Sequence, residues 1–566
     1  MSRAFLPLLL SPLLLTAPAA DAASGELLRA LSDEMKRTVE RLEMKKLDKP
    51  YFVSYSVRDV RRISIESSFG AIKDPHEYRS RQLKVDLRVG GRTLDNAHYV
   101  GKDHWSYRPL TGPLALDDDY DALRYGTWSL TDKAYKQALQ RLAQKKAYKQ
   151  DKLITEEIPD LSEEQAQSFE EPAADLAFDH ALWESRMRKL SSIFKKYPAI
   201  QSSEVDLYWT QRYTYFVDSE GRRVIKPDHD FEIYMSASTQ AEDGMRLGDR
   251  RRFISKTRAG IPLFSELETG ALRLAKDLTA LAKAPALDKP YIGPVMIEGQ
   301  AAGEFFDQLL AHNISFPREL WVEQDSVKEQ FHSGSLAGRL GLRVLSPLLN
   351  VVDDPSLEDA EGKPLIGHYS VDDEGIPAQK VTLIERGILK DLLMSRSPTK
   401  ERERSNGHGR AAFWEHTTAR ISNLVIDADK TVPEDELKQA FLREAKEFGL
   451  DFGLIVRRIA EEDRQEKDEV LAAPVMLYKV DVSNGREELV RGARFTGVSM
   501  RALRDVLAAG DRRHVYNYYQ LGPYKSSRGQ VQASIVHPSV LLGEMELKKT
   551  DKKPDKLPYL KHPHFD

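Results

Sequence analysis

The sequence has no cysteine among its 566 residues. That absence excludes disulfides, thiolate metal ligands, thiol nucleophiles and lipid attachment through a cysteine. It suits an oxidising compartment, where stray thiols pair wrongly. A dominant charge sign is lacking too: 84 basic residues mix with 88 acidic ones, for a formal net charge of -4. No basic excess marks a nucleic-acid surface, so no nucleic-acid partner is expected. Beyond the N-terminus, no apolar run reaches the ~20 residues that a membrane-spanning helix needs. Common catalytic signatures are missing as well. There is no Gly-x-Ser-x-Gly elbow, no Walker loop and no Gly-x-Gly-x-x-Gly after a strand, and His76-Glu77 has no second histidine to complete His-Glu-x-x-His.

What is present begins at the N-terminus. Arg3 is followed by a leucine-rich apolar run from Ala4 to Leu15, then by small residues ending in Ala20-Asp21-Ala22. This is the order of a secretory signal peptide, expected over residues 1–23 with cleavage near Ala22 or Ala23. Pro7 and Pro12 interrupt the apolar run, which is too short to span a bilayer. An uncut short anchor is the plainer alternative. The mature chain is therefore expected in the periplasm or outside the cell, with no membrane span after cleavage.

Periodicity predicts an α+β protein of two domains, with antiparallel or mixed sheets, packed helices and a strand-rich C-terminal domain. Leu27, Leu28, Leu31, Met35, Val39 and Leu42 fall on one helical stripe within 24–46. Strands are predicted over 51–57, 63–68 and 82–89, the last alternating through Leu83, Val85, Leu87 and Val89. A charged helix is predicted over 131–151, followed by an acidic surface excursion to Pro172. Helices are expected over 182–197 and 267–283, with strands over 204–209, 213–217 and 231–237 between them. Helix followed by strands thus occurs twice. The expected division is an N-terminal domain over 24–285 with a charged insertion at about 131–172, a C-terminal domain over 286–547, and a flexible tail over 548–566. Arg386-Gly387 and Asn484-Gly485 signal hairpins. Pro433 and Gly449 bracket a helix, and Ser499 is placed to cap another, running to Ala508.

The most informative stretch is Ile297 to His312, a strand end, a small-residue turn and a helix. Further on stand Asp372-Asp373-Glu374-Gly375-Ile376-Pro377, Ile384-Glu385-Arg386-Gly387-Ile388-Leu389, Ser405-Asn406-Gly407-His408-Gly409-Arg410, Arg420-Ile421-Ser422-Asn423-Leu424 and Glu487 to Gly497. In this order and spacing the segments resemble the TldD/PmbA (TldE) family of metallopeptidase-related proteins, over roughly Asp288 to Glu546. The resemblance implies two kinds of subunit. One carries a His-Glu-x-x-x-His helix and a cysteine in a glycine-rich C-terminal segment, which hold a metal; the other lacks the site and pairs with the first.

This chain resembles the non-catalytic, PmbA-type subunit more. The motif's first histidine position is Asp307, its glutamate position is Gln308, and only His312 matches. The glycine-rich segment is 524–530, and the cysteine position falls near Lys525, whose ammonium would repel a dication. A zinc peptidase needs about three protein ligands and an open position, plus a carboxylate to take a proton from water. Glutamine accepts no proton at neutral pH. In a regular α-helix Asp307 and His312 stand about 140° apart at ~3.6 residues per turn, so they need a distortion to converge.

No catalytic residue and no cofactor is therefore expected, and Asp307 with His312 forms a degenerate metal site. His312 reads most simply as a packed helix-end histidine, and Asp372 to Glu374 as an exposed turn. His408, Arg410 and Arg420 are candidate substrate-binding residues, the arginines for a peptide carboxylate; the alternative is a glycine loop chosen for backbone shape. The expected function is a zinc-less exported subunit that pairs with a TldD-like metallopeptidase subunit, or with itself, in processing unfolded peptides. One alternative is an active metallopeptidase with a non-standard zinc site, built from Asp307, His312 and a distant residue such as His408 or Glu304. The other is a solitary periplasmic peptide-binding protein.

Overall fold

The computed structural model describes residues 20–104, 107–172, 177–331, 334–460, 470–523, 530–550, 555–559 and 563–565. Most of the expected signal peptide, the 524–529 segment with Lys525, and His562 lie outside the described residues.

The N-terminal half is built on one largely antiparallel sheet with helices on a single face. Its long strands are β1 (Pro50–Ser68), β2 (Ala71–Gly91), β3 (Ser202–Asp218), β4 (Arg223–Gln240) and β5 (Arg246–Ser255), hydrogen-bonded in the order β2-β1-β3-β4-β5. The sequence predicts two short strands where β1 is continuous. The charged stretch Arg58 to Arg62 does not break the strand, because alternation continues through it. Val53, Tyr55, Val57, Ile63 and Ile65 all point to the buried face.

That face carries two helix pairs. Helices α1 (Ala20–Arg41) and α2 (Tyr120–Asp151) cover Val53 to Val57, and α3 (His180–Ser192) with α4 (Phe264–Lys283) cover Ile63 and Ile65. Helix α2 starts earlier than its charged stripe predicts, because Asp119 caps it by accepting the Ala122 N–H at 2.8 Å. The opposite face of the sheet is polar. Ser56, Lys84 and Phe216 are register partners across three strands, and so are Arg58, Gln82 and Thr214. This polar face looks toward the C-terminal half.

The segment after α2 departs from expectation. It is not a surface excursion: Asp160, Leu161 and Ser162 are buried. Asp160 reaches Lys145 Nζ at 2.6 Å and Arg318 at 3.1 Å, and the Ser162 carbonyl accepts from Arg92 and Arg396. Asp160 is thus held by cations from both halves, while Glu156, Glu157 and Glu163 stay exposed.

The C-terminal half is an eleven-stranded mixed sheet. Its principal strands are β6 (Tyr291–Ile297), β7 (Leu349–Asp353), β8 (Asn423–Ala428), β9 (Phe452–Ile459), β10 (Pro474–Asp481), β11 (Val506–Leu521) and β12 (Gln530–Lys549). The order across the main path is β7-β8-β12-β6-β9-β10, with β11 paired to β12. Helix α5 (Gln300–Phe306) lies on it. A Cβ at Gly303 would stand 2.6 Å from the Tyr516 Cβ and 2.8 Å from His537 Nε2, so only glycine lets α5 approach this closely. Both predicted hairpins form, at Val381–Glu385 with Ile388–Leu389 and at β10 with Glu487–Val490. Pro433 and Gly449 bracket the helix Glu434–Glu447. The helix predicted after Ser499 is only a 3-10 turn, Met500–Arg504, because β11 starts at Val506 and claims the chain by pairing with β12. The protein is thus α+β, with its strand-rich half at the C-terminus.

Candidate functional site

Helix α5 runs into a π turn, Asp307–Ala311, in which the His312 N–H donates to the Asp307 carbonyl. A ring closed between residues five apart stacks them about one turn above each other. The distortion that the spacing requires is therefore built in, and Asp307 and His312 share one face.

Their side chains have protein partners. Burial foremost, and then the charge of the nearby Asp307 carboxylate, hold the Tyr518 phenol, on β11, well above its usual range. Tyr518 stacks on Tyr516 with centroids 5.0 Å apart. The half-buried His312 ring meets Phe316 edge-on at 5.9 Å. Gln308, between them in sequence, is buried. Its Nε2 donates to the Ala460 carbonyl at 3.1 Å and its Oε1 accepts the Ala472 N–H at 2.8 Å. Both ends of the amide tie α5 to the segments that flank β9 and β10. Glu304 is buried as well, accepting the Ile459 N–H at 2.6 Å and the Gln300 amide at 3.0 Å.

His408 is completely buried. Its Nε2 meets Asp353 at 3.0 Å, and Asp353 also accepts the Ser422 N–H and the Ser422 hydroxyl. Arg420 is completely buried, paired with Glu415 and lying over the Phe316 ring at 5.5 Å. The chain brings His408 and Arg420 together, since the Arg420 N–H donates to the His408 carbonyl at 3.1 Å. Arg410 stands apart from them. It donates Nη1 to the carbonyls of Ile421 and Gln532 at 2.8 and 2.7 Å, covers the Tyr369 ring at 4.8 Å, and faces a cavity.

The Asp372-Asp373-Glu374 turn corrects the expectation of an exposed loop. Asp372 is buried and accepts the N–H groups of Glu374, Ile376 and Gly409, each at 2.9 Å. Burial, with Glu374 beside it, pushes its carboxyl well above the usual range. A Cβ at Gly409 would overlap the Glu374 carboxylate, so the glycine loop is shaped by these acids.

Beside the π turn opens a cleft between the two halves. Phe316 and Pro523 line one wall, and Lys84, Asp86 and Arg141 the other; its enclosed volume is about 100 Å³. Burial foremost, with Arg58 adding to it, lowers the Lys84 ammonium to about 8. Burial foremost, then Arg141, lowers the His416 imidazole to about 3, so that ring is neutral. The cleft offers a cation close to neutrality, a carboxylate and aromatic rings, a lining suited to polar backbone and side chains. Sequence reasoning missed Lys84, Asp86 and Arg141 because they sit on β2 and α2, far from any motif. The available signal was the Lys84-x-Asp86-x-Arg88 alternation, whose polar side had to face something.

Residues 291–549 match the model of the PmbA/TldA metallopeptidase C-terminal domain. A metalloprotease of Methanocaldococcus jannaschii is 29% identical over 238 residues, 41% of this chain and 46% of that protein. A metalloprotease TldD homolog of Haemophilus influenzae is 28% identical over 202 residues, 34% of this chain and 38% of that one. The chain thus spans about half the length of the curated relatives it matches, or less. Among solved structures, TldE of Thermococcus kodakarensis superposes with a TM-score of 0.55 at 14% identity, covering 93% of this chain and 99% of that one. A Thermotoga maritima protein gives 0.58 at 13% identity, covering 93% and 100%. At these identities the structural likeness speaks for the fold.

Proposed function

The chain belongs to the TldD/PmbA family of metallopeptidase-related proteins, and from that premise we propose that it is an exported subunit without zinc chemistry of its own, pairing with a metal-bearing metallopeptidase subunit to enclose an unfolded peptide. The observation that carries this reading is the bonding of Gln308. A general base must be a free acceptor beside the water it activates. At the family's glutamate position this chain has a buried amide with its oxygen and nitrogen both committed to backbone groups.

The residues do not fit the zinc that the family implies. Asp307 and His312 are a single carboxylate and a single imidazole, and among the described residues no group of three or more His, Cys, Asp or Glu is placed to hold a metal. The interdomain cleft beside His312 supplies the peptide site, with Lys84, Asp86 and Arg141 on its wall. Export is supported by the Arg3, apolar-run and Ala20-Asp21-Ala22 order, and the absence of cysteine suits a periplasmic or secreted protein.

One observation favours the second reading, an altered metal site. The π turn places Asp307 and His312 on one face. Metal analysis of the purified mature chain separates the two readings: the subunit reading expects no stoichiometric zinc, and tightly held zinc at one per chain overturns it. Recovery of the chain alone from its native compartment would instead point to a solitary peptide-binding protein.

A further inference from the structure

A second cavity lies on the far side of the Asp372–Glu374 turn from the cleft. It encloses about 440 Å³ between the polar face of the N-terminal sheet and the loops of the C-terminal half. That volume lies within the ~300–1,000 Å³ usual for small-molecule sites. We propose that this cavity binds a small oxyanion, a phosphate- or carboxylate-bearing molecule, seated against the guanidinium groups of Arg58 and Arg410.

The argument is one of charge. Strand alternation turns Arg58, Arg212, Lys226 and Asp228 toward the cavity, and the C-terminal half adds Arg410 and Tyr369. Three of the cations have carboxylate partners. Arg212 is held by Asp228 at 2.5 Å and Asp230 at 2.8 Å, Lys256 stands 3.4 Å from Asp228, and Lys226 stands 3.6 Å from Asp373. Arg58 and Arg410 have no ion pair among the described residues. Arg58 donates Nη2 to the Ala411 carbonyl at 3.2 Å, and its buried Nε has no hydrogen-bond partner among the described residues. Arg410 gives one nitrogen to two carbonyls and is 8% exposed. The two meet at Ala411, one bonded to its carbonyl and the other preceding it in the chain.

A buried guanidinium without a counter-charge is costly. Burial accordingly lowers Arg58 to about 10, with Asp373 opposing and Arg212 adding to the fall. Other acids offset the excess only in part. Asp373, which burial pushes up but Lys226, Arg58 and Arg410 hold below its usual range, is shared among these three cations. Asp372 is held by three backbone N–H groups and is pushed toward its neutral form. Glu171 accepts the Ser370 hydroxyl, and Glu358 and Asp359 stand exposed at the mouth. An oxyanion between the two forks supplies the missing charge and matches their planar donor geometry.

The test uses the full mature chain, titrated with pyrophosphate, with succinate and with sodium chloride at matched ionic strength, read by calorimetry and thermal unfolding. The expected result is saturable one-site binding of pyrophosphate or succinate, the one that binds identifying phosphate or carboxylate as the group recognised. Arg58→Gln weakens it by at least about tenfold. Lys226→Gln, on the same sheet wall two strands from Arg58, also weakens it and guards against a folding defect in the first variant. Binding no stronger than that of chloride, or equal binding by both variants and the parent, overturns the proposal. The cavity is separate from the peptide cleft, so neither result bears on subunit pairing.

Discussion

The Ala472 N–H donates to Gln308 Oε1 at 2.8 Å, and the other end of the same amide holds the Ala460 carbonyl at 3.1 Å. This clamp is incompatible with a carboxylate. Gln308→Glu keeps an acceptor for Ala472 but turns an oxygen on the Ala460 carbonyl, leaving that acceptor unpaired. The variant is expected to lose about 1–3 kcal/mol of unfolding free energy and to gain no peptidase activity. Urea unfolding together with a peptide-cleavage assay checks both. A stable variant that cleaves peptides would mean that the site needs only its carboxylate restored.

His408 bears on whether the glycine loop contacts substrate. It is buried against Asp353, which it shares with Ser422. Truncation leaves Asp353 without one of its buried hydrogen bonds, so His408→Ala should destabilise the chain by about 1–3 kcal/mol. An exposed substrate contact would leave unfolding unchanged and weaken peptide binding alone.

Gly303 sets the distance of α5 from the sheet. A methyl group there overlaps Tyr516 and His537. Overpacking of this kind costs about 1–3 kcal/mol, so Gly303→Ala is predicted to lower the unfolding midpoint and loosen the π turn. Hydrogen exchange at 307–312 reports the loosening; unchanged protection contradicts it.

Asp206 gives a pH dependence. It is buried on β3 directly opposite Glu66, with Glu204 two residues away on the same face. Burial first, then Glu204 and Glu66, raise its carboxyl to about 7, with Lys73 opposing. A carboxyl raised by folding holds its proton more tightly in the folded chain. Its contribution is thus fully present below the unfolded value, ~4, and is lost as pH rises toward about 7. Asp206→Asn should flatten the stability profile between those limits and stabilise the chain most at its upper end. Parallel profiles for parent and variant would refute the assignment.

Local signals carried far through this sequence. The two hairpins follow from Arg386-Gly387 and Asn484-Gly485, whose four residues occupy turns that reverse the chain, and the five-residue spacing of Asp307 and His312 already demanded a distorted helix. What escaped was set by partners distant in the chain. Asp160 looks like a surface acid until Lys145 and Arg318 close on it. The Asp372 turn reads as exposed until the Gly409 N–H arrives. Nothing near His408 or Arg420 in sequence announces that Asp353 and Glu415 bury them. The cleft residues Lys84 and Arg141 come from the other half of the molecule altogether.

Purification of the chain from its native host, with zinc measured on the recovered complex and on the separated chain, tests the central claim most directly. The account predicts a complex in which zinc travels with a partner bearing an intact His-Glu-x-x-x-His helix, while this chain alone holds none. One tightly bound zinc per chain on the isolated protein, lost on His312→Ala, would contradict it.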